Sequence, residues 1–186
     1  CVLAAVRQDG SALEFTSVEL RDDPKIVLAA VRQGGSALEF ASERLCDKPK
    51  IVLAAIKKHA RAFMSASQRL QTNYNFMLSA LRCNGYVLEY FPKELRADPK
   101  IVLPAVMSNG LALEFASVEL CDDPEIVLAA VGQAGSALLY ASDGMRANRK
   151  IVGAAVRQDG SALLYAPDVV CDDHEIVEIA VDRDGS

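Results

Sequence analysis

Asp23-Pro24-Lys25-Ile26-Val27-Leu28-Ala29-Ala30-Val31-Arg32-Gln33-Gly34-Gly35-Ser36-Ala37-Leu38-Glu39-Phe40-Ala41-Ser42 reads as a helical hairpin, and the rest of the chain repeats it. Asp23 is an N-cap, and Pro24 takes the first helical position, where a missing N–H costs nothing because that donor has no intrahelical partner. Ile26 to Val31 is apolar on every side, which predicts a helix covered on several faces at once. Gly35 reads as its stop, in the left-handed conformation that glycine tolerates. Ser36 and Glu39 have the spacing of a capping box and predict a second, shorter helix ending near Ala41. A one-turn segment over Ser42 to Leu45 then leads to the next Asp cap.

Ile26 recurs without insertion as Ile51, Phe76, Ile101, Ile126, Ile151 and Ile176, a period of 25 residues in a chain of 186. A fixed, ungapped period means like units stacked in line. The expected fold is all-α: an α-solenoid of about seven stacked 25-residue helical-hairpin repeats, roughly 60–75 Å long at 8–10 Å per unit. It is read as one continuous array, with units at about 23–47, 48–72, 73–97, 98–122, 123–147 and 148–172 and partial units at 1–22 and 173–186. The small Ala29-Ala30 pair predicts close approach of neighbouring helices.

The rows of this alignment assign most residues. Gly10, Gly85, Gly110, Gly135, Gly160 and Gly185 repeat Gly35, and Ala60 alone breaks the row. Arg7, Arg32, Lys57, Arg82 and Arg157 lie in the last helical turn, where positive charge meets the negative end of the helix dipole. Ser17, Ser42, Ser67, Ser117 and Ser142 alternate with Pro92 and Pro167 at a helix start. Pro104 falls inside the fifth unit's first helix and predicts a kink there.

The chain carries 20 basic and 25 acidic residues with no block of like charge, so the footprint of a nucleic-acid or anionic-membrane binder is missing. A 51% hydrophobic composition excludes a disordered chain, yet the longest apolar runs are six residues, too short for a transmembrane segment. Cys46, Cys121 and Cys171 share one row, roughly 15–30 Å apart in such a stack, and are read as free thiols together with Cys1 and Cys83. The thiols leave the compartment open. The chain begins at Cys1 within a repeat and stops at Ser186 within another, so the expectation is a piece of a longer protein.

Chemistry finds little purchase in the rows. Each Ser of the repeated row starts a helix without a His or Lys spaced to activate it. His59 and His174 are read as exposed or capping. Asp172-Asp173-His174-Glu175 has ligand-type side chains, but its Asp pair repeats the capping pairs Asp22-Asp23 and Asp122-Asp123. Asp182-x-Asp184-Gly185 echoes a calcium loop without its later ligands. Gly34-Gly35 is a helix end with no phosphate-binding fingerprint around it. The nearly uniform Arg-Gln pair at helix ends lacks the variation of a base-reading code. No catalytic residue, metal site, cofactor or small-molecule substrate is expected.

Val27-Leu28-x-Ala30-Val31-x-x-x-Gly35-x-Ala37-Leu38-x-x-Ala41-Ser42-x-x-Leu45 resembles the tandem-repeat family catalogued as domain of unknown function 4116, over the whole chain. The chain departs from the pattern at Ala60, Arg61, Ser65, Asn73 to Phe76, Pro104 and Gly153. The resemblance implies helical arrays found in protists, algae, large viruses and some intracellular bacteria. It brings no activity, substrate or catalytic residue with it.

The eleven aromatics divide into a row and a cluster. Phe15, Phe40, Tyr90, Phe115, Tyr140 and Tyr165 form one row and are expected in the core. Phe63, Tyr74, Phe76, Tyr86 and Phe91 crowd the third and fourth units, where the capping rules are broken most. Phe63 and Phe76 are read as core, and Tyr74, Tyr86, Arg82 and Phe91 as a candidate protein contact, with repacking of a degenerate repeat as the alternative. The expected function is a non-catalytic protein-binding scaffold or a peripheral structural subunit of a larger assembly. The resemblance extends this to an organellar or photosynthetic complex. The alternative is an accessory repeat region of a longer enzyme or bacterial effector whose catalytic domain lies elsewhere.

Overall fold

The computed structural model describes the backbone of residues 2–184 and the side chains of residues 2–181. Cys1, Gly185 and the side chains of Asp182 and Asp184 lie outside the described residues. Every regular element among those described is a helix. By internal packing the chain divides into two compact units, Cys1–Tyr90 and Phe91–Ser186.

In the first unit the long helices are α1 (Val2–Gln8), α2 (Pro24–Gln33), α3 (Pro49–Ile56) and α4 (Tyr74–Cys83). In the second they are α5 (Pro99–Ser108), α6 (Pro124–Gln133), α7 (Arg149–Gln158) and α8 (His174–Asp184). Within each unit successive long helices pack side by side in chain order. The local signals act as their positions dictate. Asp23 accepts from the N–H groups of Lys25 and Ile26 at 2.7 and 3.4 Å, with Pro24 at the first helical position. Val27, Ala30 and Val31 of α2 are fully buried, as are Val52, Ala55 and Ile56 of α3.

The second helix of each hairpin differs from expectation. It is a 3₁₀ helix, as in Gly35–Phe40, and Ser36 lies inside it rather than at its cap. The cap is the residue before the glycine: Asp9 accepts from the Ser11 N–H at 2.9 Å, and Asn109 from that of Leu111 at 3.1 Å. The 3₁₀ helices Gly10–Phe15, Gly35–Phe40, Ala60–Ser65 and Gly85–Tyr90 form a second layer in the first unit. Gly110–Phe115, Gly135–Tyr140 and Gly160–Tyr165 do so in the second. A four-residue helix such as Glu43–Cys46 then returns the chain, and Ser42 caps it by accepting from the Leu45 N–H at 3.3 Å.

The glycine row has a different cause from the expected one. No described glycine has a positive φ. What the position requires is the absence of a Cβ, which at Gly35 would stand 2.3 Å from the Ala55 carbonyl oxygen and at Gly110 2.3 Å from that of Ala130. Gly10, Gly35, Gly110 and Gly135 are each a notch for the next helix. Where Ala60 replaces it, α3 ends at Ile56, two residues short of the equivalent end of α2, and the Ile56 carbonyl accepts from Asn84 Nδ2 at 3.1 Å. Pro104 does not shorten its helix: α5 keeps ten residues, as do α2, α6 and α7.

Candidate protein-binding surfaces

Several polar side chains hold neighbouring repeats together. Asp22 sits one repeat before Arg44 and accepts from its guanidinium at 2.9–3.1 Å, and the Ser42 hydroxyl donates to the same carboxylate. Asp47 takes Arg69 and Ser67 in the same way. These hydrogen bonds, Arg first and Ser next, hold both carboxyls below the usual aspartate range. Asp122 keeps the Ser142 hydroxyl but faces Gly144 where an Arg would stand. The serine backbone adds a second tie: Ser42 N–H donates to the Arg21 carbonyl at 3.0 Å, and Ser142 N–H to that of Cys121 at 2.9 Å. Ser42, Ser67 and Ser142 are therefore both caps and clasps.

A third row, noted in the sequence only for its cysteines, satisfies orphan carbonyls at the ends of several 3₁₀ helices. Arg21 Nε donates to the Thr16 carbonyl at 3.1 Å, and Gln71 Nε2 to those of Met64 and Ala66 at 3.0 and 2.9 Å. Cys46 Sγ reaches Leu38 at 3.6 Å. The alternation of Arg, Cys and Gln at one repeat position is the signal that would have found it, since these side chains share only the ability to donate. Cys46, Cys83, Cys121 and Cys171 are free. Burial, with Glu43 and Glu119 nearby, pushes the thiols of Cys46 and Cys121 up. Asp173 caps α8 by accepting from the Glu175 N–H at 3.1 Å and also pairs with Arg149 at 2.9 Å. Among the described residues no three His, Cys, Asp or Glu side chains are placed to hold a metal ion, and no helix is long and apolar enough to cross a membrane.

The aromatic row corrects the core expectation. Leu13, Leu38, Phe63, Leu88, Leu113 and Leu138 are the large buried residues of the 3₁₀ layer. Phe40, Tyr90, Phe115, Tyr140 and Tyr165 are only half-buried, and Phe15 is 84% exposed. Two residues separate the row from Leu38 and its equivalents, so in a tight three-residue turn it lies off the buried face. In the second unit the neighbouring exposed positions Leu139 and Leu164 are leucines where Glu39, Glu89 and Glu114 stand elsewhere.

The four proposed contact residues differ in exposure. Tyr74 opens α4 and is 44% exposed, whereas Arg82 lies in the last turn of the same helix, about 12 Å along its axis. Tyr86 belongs to the 3₁₀ layer and is half-buried, its N–H donating to Asn84 Oδ1 at 3.1 Å. Phe91 is 4% exposed and begins the second unit, so it is a core residue and not a contact residue. Tyr74 and Arg82 share a face, since positions 74, 78 and 82 align along a helix.

Stacked helical hairpins with their polar rows spent on caps and clasps define an all-helical tandem-repeat protein. The chain belongs to the family described as Domain of unknown function (DUF4116), whose model matches residues 1–46, 49–96, 98–146 and 148–186. Each match therefore spans about two of the 25-residue repeats. Neither a curated protein nor a solved structure matches the chain.

Proposed function

We propose that the chain is a non-catalytic protein-binding repeat protein, acting as a scaffold or as a peripheral structural subunit of a larger assembly. The observation that carries this reading is the half-exposed aromatic row, which presents Phe115, Tyr140 and Tyr165 in consecutive repeats beside Leu139 and Leu164. Aromatic side chains give large contact area at small entropic cost and are enriched at protein interfaces. The carboxylates and serines that could serve chemistry are instead engaged in caps and clasps, as at Asp22, Ser42 and Asp47. Placement in an organellar or photosynthetic assembly rests on the family resemblance alone.

The test is co-purification of the full chain from its native source, followed by mass spectrometry and reconstitution with each recovered protein. A stoichiometric partner lost on Tyr140→Ala plus Tyr165→Ala, with helicity unchanged, supports the reading. A chain that recovers no stoichiometric partner at low or physiological salt overturns it. Tyr74→Ala plus Tyr86→Ala tests the contact in the third and fourth repeats by the same readout.

A further inference from the structure

The overall charge of the chain conceals a division. Residues 1–90 carry 12 basic against 9 acidic side chains, while residues 91–186 carry 8 against 16. In the first unit the excess is ordered by the repeat. Lys25 and Lys50 lie near the starts of α2 and α3, and Arg7, Arg32 and Lys57 lie near the ends of α1, α2 and α3; all five are exposed. Positions 25, 28, 29 and 32 fall on one face of a helix. Between the basic edges the floor is therefore apolar: Leu28 and Ala29 in α2, Leu53 and Ala54 in α3, all half-buried. An open groove of about 430 Å³ runs between α1 and α2, lined by Leu3, Arg7, Lys25, Leu28, Ala29 and Arg32.

The dimensions select an occupant. Seven residues of helix separate Lys25 from Arg32, about 10 Å along the axis, which matches the 10–12 Å diameter of an α-helix with its side chains. Of the neighbouring carboxylates, Asp22 is paired with Arg44, while Asp23 and Asp9 cap helices through backbone N–H groups and keep their charge, so the excess on this face is that of five cations over two unpaired carboxylates. In the second unit only α7 keeps both basic positions, as Lys150 and Arg157; α5 has Met107 at the position of Arg32, and α6 has Glu125 and Gly132, so no two adjacent helices form the paired lines. We propose that the α1–α3 face of the first unit is a docking groove for an acidic amphipathic helix of a partner protein, its apolar stripe on Leu28 and Leu53 and its carboxylates between the two basic lines. The proposal rests on the protein-binding role and specifies its partner; helix-in-groove recognition supplies the contact area, and the charges supply rate and orientation.

The probe is a fluorescein-labelled peptide of about eighteen residues with leucine on one helical face and glutamate on the flanks, titrated against the full chain by anisotropy. The expected result is saturable binding that weakens with salt and falls about tenfold or more in Arg32→Glu plus Lys57→Glu, by loss of two close charge contacts. Lys150→Glu plus Arg157→Glu in the second unit should leave it unchanged, whereas replacing the peptide's glutamates by lysine should abolish binding. Circular dichroism of both variants confirms the fold. Equal loss in the two variants, or no saturable binding, overturns the groove. Binding of oligouridylate or phosphatidylserine vesicles to this face in place of the peptide also overturns it, in favour of an RNA or a membrane. A native partner whose binding ignores Arg32→Glu plus Lys57→Glu leaves the protein-binding role standing and removes only this inference.

Discussion

The Cβ that Gly35 lacks would lie 2.3 Å from the carbonyl oxygen of Ala55, a residue in the next repeat. No side chain can shift to relieve that contact, because the opposing atom is backbone.

Gly35→Ala or Gly110→Ala is therefore expected to destabilise its unit by about 1–3 kcal/mol, the usual range for overpacking. Gly132 supplies the control. It lies within α6 with open space where its Cβ would be, so Gly132→Ala should stabilise by about 0.5–1 kcal/mol through helix propensity. Urea denaturation of the three variants checks both signs, and equal effects would refute the notch.

Asp22 and Asp47 lead to a pH dependence. Their folded pKa values lie below the unfolded value of about 3.9, so their contribution is full above that value and is lost as pH falls through the folded ones. Asp22→Asn plus Asp47→Asn should lower the urea midpoint at pH 7, and the gap from the parent chain should close on acidification below the aspartate range. A gap that persists at about pH 2 would assign the loss to packing instead.

The thiols should separate by reactivity. Cys83 is exposed, whereas Cys46 and Cys121 are half-buried with pKa values raised by burial. At mildly alkaline pH, iodoacetamide should label Cys83 before Cys46 and Cys121, because the thiolate is the reactive form. Peptide mapping of a time course reads the order directly.

Two phenylalanines measure the difference between the aromatic row and the core. Phe63→Ala removes a side chain only 4% exposed and should cost about 3–5 kcal/mol. Phe15→Ala should stay within about 0.5 kcal/mol, because Phe15 is almost entirely in solvent. Similar losses in both would return the row to the core.

What could be read from the sequence was local. Asp23 and Pro24 specify a helix start within three residues, and Ser42 does so again, so both are legible in one repeat. The 3₁₀ form of Gly35–Phe40 was hidden because Ser36 and Glu39 have the spacing of a capping box and nothing nearby contradicts it. The reason for Gly35 was hidden more deeply, since the atom it makes room for belongs to Ala55. The Asp22 to Arg44 clasp was available by comparing repeats: Arg occurs at positions 44 and 69, each 22 residues after an Asp, and Gly144 follows Asp122 without it. The contact cluster failed at Phe91 because an aromatic beside a broken cap looks the same in sequence whether it points out or in.

The glycine notch also bears on how such a chain changes its length. A repeat with the glycine offers a recess on one side and a protruding carbonyl on the other, as Gly10 meets Ala30 and Gly35 meets Ala55. Whole copies can then be gained or lost in the gene while every new junction finds a matching mate. A slip of one residue would set methyl against carbonyl along the entire seam. The notch thereby ties the architecture to a step of 25 residues and places no such demand on the outward faces, which differ in charge between the basic first unit and the acidic second unit.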